Sequence, residues 1–482
     1  MLANKPISQP FVAFCVSLGL SLWAIWLDPV VNRDGTLYLE SAQLYVEGGA
    51  AALKGVFDWA FLPILIAEIS GFLSVNLEMA AYLYSIFFLA ATAAVAVLLT
   101  QKIAPSTGWY AVLTISALPA MNSYREAIIR EQGFWFFTLL ACLLIVCAKD
   151  RRHLFLLLSM IALLGAAAFR IEALVFGPIF LFWYFRQSAG QTTKAFFRHQ
   201  PMVVAIFSVA LLAAGSVLLL SAFGSDRVAF YISWFDWSAK LLQLEELSSH
   251  LRQKLPEFSQ KDATEIIVWG LPSLLLTRLL DGLDLFLLPL ALSLHRKSLR
   301  LEGAMKLPLM LAGAYTVVLL TFLFLMLFLT DRYVALLFLL MVPLLSLSVQ
   351  DFAEKAGRLK PFVLGVLVVM PLVQIGLPLN SGKTEIKEAA RYLKSLGLDS
   401  SQICTSDSRL GFYVSSSYKS SEITVCELRT KEGLDQFKAH KAVALYIDPK
   451  DLAASQWVQD HRRVVAAEFS GHRNFRVVIL KL

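Results

Sequence analysis

The run from Leu77 to Thr100 reads LEMAAYLYSIFFLAATAAVAVLLT and carries a single charge, Glu78. A bilayer core of about 30 Å is crossed by a helix of about 20 mostly apolar residues. This stretch meets that length and composition. Similar runs occupy 11–27, 106–121, 132–148, 153–169, 172–186, 201–223, 271–294, 307–329, 332–349 and 361–379, about eleven predicted membrane helices in all. Phe57–Val75 interrupts the pattern with Pro63, Glu68 and Gly71, and reads as an interfacial or re-entrant segment. The first run follows Lys5 and ends at Trp26-Leu27-Asp28-Pro29 without a small-x-small site behind it. It is therefore expected to be an uncleaved signal anchor.

The composition agrees with this reading. Of 482 residues, 57% are hydrophobic and 16% charged, against about 25% charged in an ordinary soluble domain. Mean hydropathy is +0.64. Disorder, a coiled coil and a purely soluble enzyme are excluded. The net charge of +7 would suit nucleic acid, but its placement says otherwise. Loops 1–10, 101–105, 149–152, 186–200, 295–306 and 350–360 hold fifteen basic residues against four acids. The alternate set, 28–58, 122–131, 169–172, 224–268 and 330–332, holds eleven against sixteen. Short basic loops stay in the cytoplasm. The excess is a topology signal that puts the N-terminus inside, and nucleic acid is not an expected partner.

The chain is expected to leave the membrane after Pro378 on the outer side. Residues 1–379 then form an all-α polytopic membrane domain, and 380–482 a small soluble α/β domain. In the latter, helical periodicity runs through Glu385–Leu396. Short β-rich runs follow at Gln402–Thr405, Ile423–Cys426, Ala442–Ile447, Arg463–Phe469 and Phe475–Leu480. Helix-like Lys431–Lys438 and Asp451–Gln459 lie between some of them. Alternating strands and helices favour an α/β sandwich. No GxGxxG or GxxxxGK[ST] is present, so nothing points to a nucleotide. Cys15, Cys142 and Cys147 lie in apolar spans. Cys404 and Cys426 fall in predicted strands, where an oxidising compartment permits a disulfide. The seven histidines are scattered, and no Cys/His spacing suggests zinc.

Four segments predicted on the outer face carry paired charges. They are Asn32-Arg33-Asp34-Gly35-Thr36, Tyr124 to Glu131, Phe169-Arg170-Ile171-Glu172, and Thr330-Asp331-Arg332-Tyr333. Ionisable groups near hydrocarbon are costly, so they pair, snorkel or serve a site. Arginine presents a planar fork suited to phosphate, and a carboxylate beside it suits general-base work. Each has a plainer alternative. Asp34 could cap the helix Thr36–Gly48, whose Leu37, Leu44 and Tyr45 would lie along the interface. Glu126 and Arg130, four apart, could be a helix surface pair. Arg170 and Arg332 could snorkel to headgroups. Arg278, Asp281 and Asp284 form one stripe inside 271–294, interfacial or lining a polar cavity. Trp234 and Trp237 in the long loop 224–268 read as interface anchors or as rings that stack on a sugar.

Arg33-Asp34-Gly35-Thr36-Leu37-Tyr38-Leu39, opening an amphipathic helix after the first span, resembles the first outer loop of GT-C superfamily glycosyltransferases. The nearest likeness is to the protein O-mannosyltransferase and aminoarabinose-transferase type. Arg130-Glu131 before Phe134-Trp135-Phe136-Phe137, Arg170 at an outer turn, Asp331-Arg332-Tyr333 with Pro343 behind, and the short α/β tail resemble the same layout. The resemblance implies a multi-pass enzyme of the bacterial inner membrane that takes a sugar from a polyprenyl-phosphate carrier. Asp34 and Glu131 would be the catalytic pair. Asp34 would deprotonate an acceptor hydroxyl on lipid, glycan or protein, with inversion at the anomeric carbon. Arg125, Arg130 and Arg170 would hold the phosphate, and Glu131 and Glu126 would orient the base or a donor-side group. Arg33, Tyr38, Glu172 and Arg332 complete the expected substrate-binding set. No cofactor is implied, although Asp34 with Glu131 could hold a divalent ion. The chain departs from the family pattern at Gly35, Glu131 and Ile171-Glu172. A transporter or flippase, a glycan polymerase or ligase, and a non-catalytic scaffold are the competing readings. A transporter predicts midplane charges and two similar halves, neither of which is apparent.

Overall fold

The computed structural model describes residues 8–57, 59–148, 152–189, 236–299, 303–379, 383–398, 400–415, 424–425, 440–447, 465–471 and 475–481, with a few single positions between. In chain order the helices are α1 (Gln9–Leu27), α2 (Arg33–Gly48), α3 (Phe61–Leu73), α4 (Leu77–Ile103), α5 (Trp109–Ser116), α6 (Pro119–Asn122), α7 (Glu131–Cys147), α8 (Arg152–Phe169) and α9 (Phe176–Ala189). There follow α10 (Trp237–Arg252), α11 (Ala263–Leu283), α12 (Leu287–His295), α13 (Lys306–Met326), α14 (Asp331–Lys355) and α15 (Lys360–Leu379). The C-terminal part holds α16 (Thr384–Ser395), α17 (Ser408–Val414) and strands β1 (Ile403–Thr405), β2 (Thr424–Val425), β3 (Ala442–Ile447), β4 (Val465–Ser470) and β5 (Arg476–Lys481).

Among the described residues, six helices are long and apolar enough to cross a membrane: Gln9–Leu27, Leu77–Ile103, Arg152–Phe169, Gly303–Met326, Asp331–Lys355 and Gly357–Leu377. The chain is a multi-pass membrane protein. The other expected spans differ for local reasons. The run 106–121 is cut at Leu118-Pro119, because proline cannot continue the helix of α5. The run 172–186 opens as a 3-10 turn, Ile171–Val175, before α9. The run 271–294 breaks at Asp284, where φ of +44° ends α11 and a new helix starts three residues later. Phe61–Leu73 is a short apolar helix, as is Glu131–Cys147. Most of 201–223 lies outside the described residues.

The chain forms two compact units. One comprises residues 1–18, 88–124 and 130–372; the other comprises 19–87, 125–129 and 373–482.

In the first unit, α7 and α8 pack by mutual exchange of space. Gly133 of α7 leaves room for the Phe169 ring; a Cβ there would stand 2.4 Å from it. Gly165 of α8 does the same for Phe137 at 2.9 Å. Ser159 on α8 donates to the Ala141 carbonyl on α7 at 3.0 Å, so even its hydroxyl is satisfied within the bundle.

In the second unit the strands form one sheet in the order β2-β1-β3-β5-β4. β1 runs parallel to β2 and β3, and β5 is antiparallel to β3 and β4. The strands fall on the five β-rich runs read from the sequence; Lys431–Lys438 and most of Asp451–Gln459 lie outside the described residues. α16 lays Ile386, Ala389, Ala390 and Leu393 on Ile403, Ala442, Ala444, Val477 and Ile479 of the sheet. That i, i+3, i+4, i+7 spacing is one helical face. Cys404 is disulfide-bonded; Cys426 lies outside the described residues.

Candidate functional site

In the first unit, an ionic centre forms where α7 starts, α8 ends and α14 starts. Its hub is Arg170, 5% exposed. The Phe169 ring seated against Gly133 brings the end of α8 down onto the first turn of α7, which carries Glu131. Arg170 Nη1 donates to Glu131 Oε1 at 2.9 Å. Its Nη2 and Nε donate to the two oxygens of Glu172 at 2.9 and 3.4 Å. Three of its five N–H groups therefore serve carboxylates. Arg332 Nε lies 3.7 Å from Glu131 Oε1. Both guanidiniums stack on one ring: Arg170 Cζ is 4.3 Å and Arg332 Cζ 5.2 Å from the centroid of Tyr333. Such cation–π contacts are worth about 0.5–2 kcal/mol each.

The electrostatics follow from burial and neighbours. Burial pushes the Glu172 carboxyl up, but Arg170, helped by Arg130, outweighs it and holds the group at about 2. Burial likewise works against the charge on Arg170, and the carboxylates of Glu172 and Glu131 more than restore it. Glu131 Oε2 is buried and meets no hydrogen-bond donor among the described residues; the same holds for Trp135 Nε1 and Thr138 Oγ1. Positions 131, 135 and 138 share one face of α7. Thr330 Oγ1, just before α14, is also buried and has no partner among the described residues. These are groups able to meet the hydroxyls of a polar ligand. Arg278 pairs with Asp331 at 3.0 Å on the more exposed side of α14.

In the second unit, the segment after α1 carries Asp34. Asn32 is the N-cap of α2 by its extended backbone, but its side chain is spent elsewhere. Asn32 Oδ1 accepts from Ile128 N at 2.8 Å and Nδ2 donates to Ile128 O at 3.3 Å, pinning the segment 125–129. Gly35 permits this approach, since a Cβ there would meet Val31 and Asn32 at 2.7 Å. Asp34 stands in the first turn of α2, half-buried, where the helix dipole favours an anion. The capping alternative for Asp34 is thereby corrected. The helix begins at Arg33, not Thr36, and buries Tyr38, Leu39 and Ala42 while Leu37 is exposed.

Arg125 is fully buried and donates to Ser21 Oγ at 3.2 Å. Burial pushes the Glu126 carboxyl up to about 7, and its Oε2 has no partner among the described residues. The backbone at 124–130 is not helical, so the helix surface pair of Glu126 with Arg130 does not form. Arg33 Nη2 donates to Asp407 Oδ2 at 3.0 Å.

The expected residues thus fall into two groups. Arg130, Glu131, Arg170, Glu172 and Arg332 belong to the first unit, and Arg33, Asp34, Tyr38, Arg125 and Glu126 to the second. Tyr333 stood beside Arg332 in the sequence without a role, and the polar face of α7 was not singled out. The adjacency of Tyr333 to Arg332 was the only signal for the former. Among the described residues, no group of three or more His, Cys, Asp or Glu could hold a metal ion.

No protein-family model and no curated protein sequence matches the chain. Solved structures do match. Two are crystal structures of ArnT from Cupriavidus metallidurans, one in the apo state and one bound to undecaprenyl phosphate. They match with TM-scores of 0.54 and 0.55, at 10% identity, over 98% of this chain and 97% of theirs. The architecture is shared along nearly the whole length at this low identity, and the chain has the fold of these ArnT structures.

Proposed function

We propose that the chain is a membrane glycosyltransferase that moves a sugar from a polyprenyl-phosphate donor to an acceptor hydroxyl on the outer face of a bacterial inner membrane. The observation that carries this reading is the ionic centre around Arg170 in a multi-pass membrane protein. Its buried charges are costly unless used, and Glu131 keeps one oxygen unspent. The shared fold with ArnT bound to undecaprenyl phosphate supports the donor class.

In this mechanism Arg170 holds Glu131 and Glu172 in place. Arg332 and Arg130 neutralise the phosphate as it leaves. Preorganised positive charge at a developing anion is a large catalytic term. Glu131 Oε2 accepts from a sugar hydroxyl. Asp34 takes the proton of the acceptor hydroxyl, the acceptor oxygen bonds to the anomeric carbon with inversion, and the C–O bond to the lipid phosphate breaks. The test is sugar transfer in nanodiscs supplied with undecaprenyl-phosphate sugars. Arg332→Ala is expected to raise the donor KM or lower kcat by about tenfold or more, the scale of one charge-assisted contact. Wild-type kinetics in that variant would remove Arg332 from the phosphate site.

A further inference from the structure

We propose that the C-terminal α/β domain is a receptor for the chain's own loop 28–33, and that this grip sets the position of Asp34. In open α/β sheets, ligands bind beyond the carboxyl ends of parallel strands where neighbouring connections diverge. Here that place lies beyond β1 and β3, since β1 stands between parallel β2 and β3. Ser406 and Asp407 follow β1 directly, and Ser406 Oγ accepts from Tyr446 N of β3 at 2.9 Å. The carboxylate there, Asp407, is fully buried and already spent. It accepts from Arg409 Nε and Nη2 at 2.9 and 2.8 Å and from Arg33 Nη2 at 3.0 Å. A guanidinium from the chain's own N-terminal part occupies the end of the sheet where a ligand would sit.

The remaining contacts cover the loop almost residue by residue. Asp28 Oδ2 accepts from Lys383 Nζ at 2.7 Å. The Pro29 carbonyl accepts from Lys387 Nζ at 2.8 Å. Val30 is 2% exposed and belongs to the same apolar core as Ile386, Leu393 and Ile403. Val31 N donates to Tyr413 Oη at 2.9 Å. Five successive attachments, broken only by Asn32 with its own anchor on Ile128, end at the residue before Asp34. The chain between 383 and 413 therefore acts on residues more than 350 positions away, and Asp407, Lys383 and Tyr413 are positioning residues. The significance of Asp34 rests on the reading above; the attachment itself does not.

Hydrogen–deuterium exchange on the full-length protein in detergent tests this without substrate, so its failure is separable from failure of the glycosyltransferase reading. Asp407→Asn is expected to speed exchange of amides in 29–36 by about tenfold or more. Arg33→Ala and Lys383→Gln, which change partly exposed side chains, are expected to speed it by about threefold, with Arg33→Lys restoring part of the protection. Peptides of α7 should not change in any of them. If Asp407→Asn also opens β3 and β5, the two surface variants decide with the same outcomes. Wild-type exchange at 29–36 in Arg33→Ala and Lys383→Gln would overturn the proposal.

Discussion

Glu126 shows how one buried group sets a pH response. Burial raises its carboxyl to about 7 in the folded protein, against about 4.3 when unfolded. Between those values the folded state holds a proton that the unfolded state has lost. The associated stability is therefore full below about pH 4 and is lost as pH rises through 7, amounting to about 4 kcal/mol. Glu126→Gln should raise the thermal midpoint at pH 8 relative to wild type and leave it nearly unchanged at pH 4.5. Equal midpoints at pH 8 would mean that Glu126 is ionised at no cost. Arg170 makes the opposite case. Arg170→Leu strands two buried carboxylates and should destabilise by about 3–5 kcal/mol, as removal of one partner from a buried pair does, visible as a large fall in melting temperature. The sequence marked both residues, because charge beside hydrocarbon is conspicuous. It did not reveal that Arg170 reaches Glu131, or that Arg33 turns to Asp407. Those pairings span 39 and 374 residues, and no local pattern encodes them.

At the scale of elements, the α7–α8 pair positions the centre. Phe169 sits between Gly133 and the rings of Phe88 and Phe137, with centroids 5.7 and 6.1 Å away, and is 1% exposed. It has no room to retreat. Gly133→Ala should therefore overpack by about 1–3 kcal/mol and shift the end of α8 that carries Arg170. The expected outcome is a lowered melting temperature together with weakened undecaprenyl phosphate binding. Gly313→Ala, which has open space around it, serves as a control and should change neither. Hydropathy located α4, α8 and α13–α15 to within a few residues, because long apolar runs carry a strong signal. It overstated the continuity of 106–121 and 271–294. A composition window does not register a helix broken at Pro119 or at Asp284 with its left-handed φ. The strands of the tail were legible from alternation and β-branched runs; their parallel order was not, since it depends on which strands meet.

At the scale of the molecule, the membrane class was available from composition and the long apolar runs, and the resemblance of the loop after α1 pointed to the fold now shared with ArnT. What the sequence could not supply is the division into two compact units, in which the first loop and the C-terminal sheet fold together. Val30, in a short segment between helices, gives no sign that it completes a hydrophobic core formed by residues 386–479. The account as a whole is one of base catalysis on a lipid-linked donor. Its most direct test is release of undecaprenyl phosphate from a set of undecaprenyl-phosphate pentoses and hexoses in nanodiscs, by wild type and by Asp34→Asn. The account predicts that wild type consumes at least one donor, releasing one lipid phosphate per sugar transferred, and that Asp34→Asn slows this about a hundredfold or more, the scale of general-base catalysis, while still binding undecaprenyl phosphate. Undiminished turnover by Asp34→Asn, or no release from any donor by a wild-type protein that is folded and binds the lipid phosphate, would contradict it.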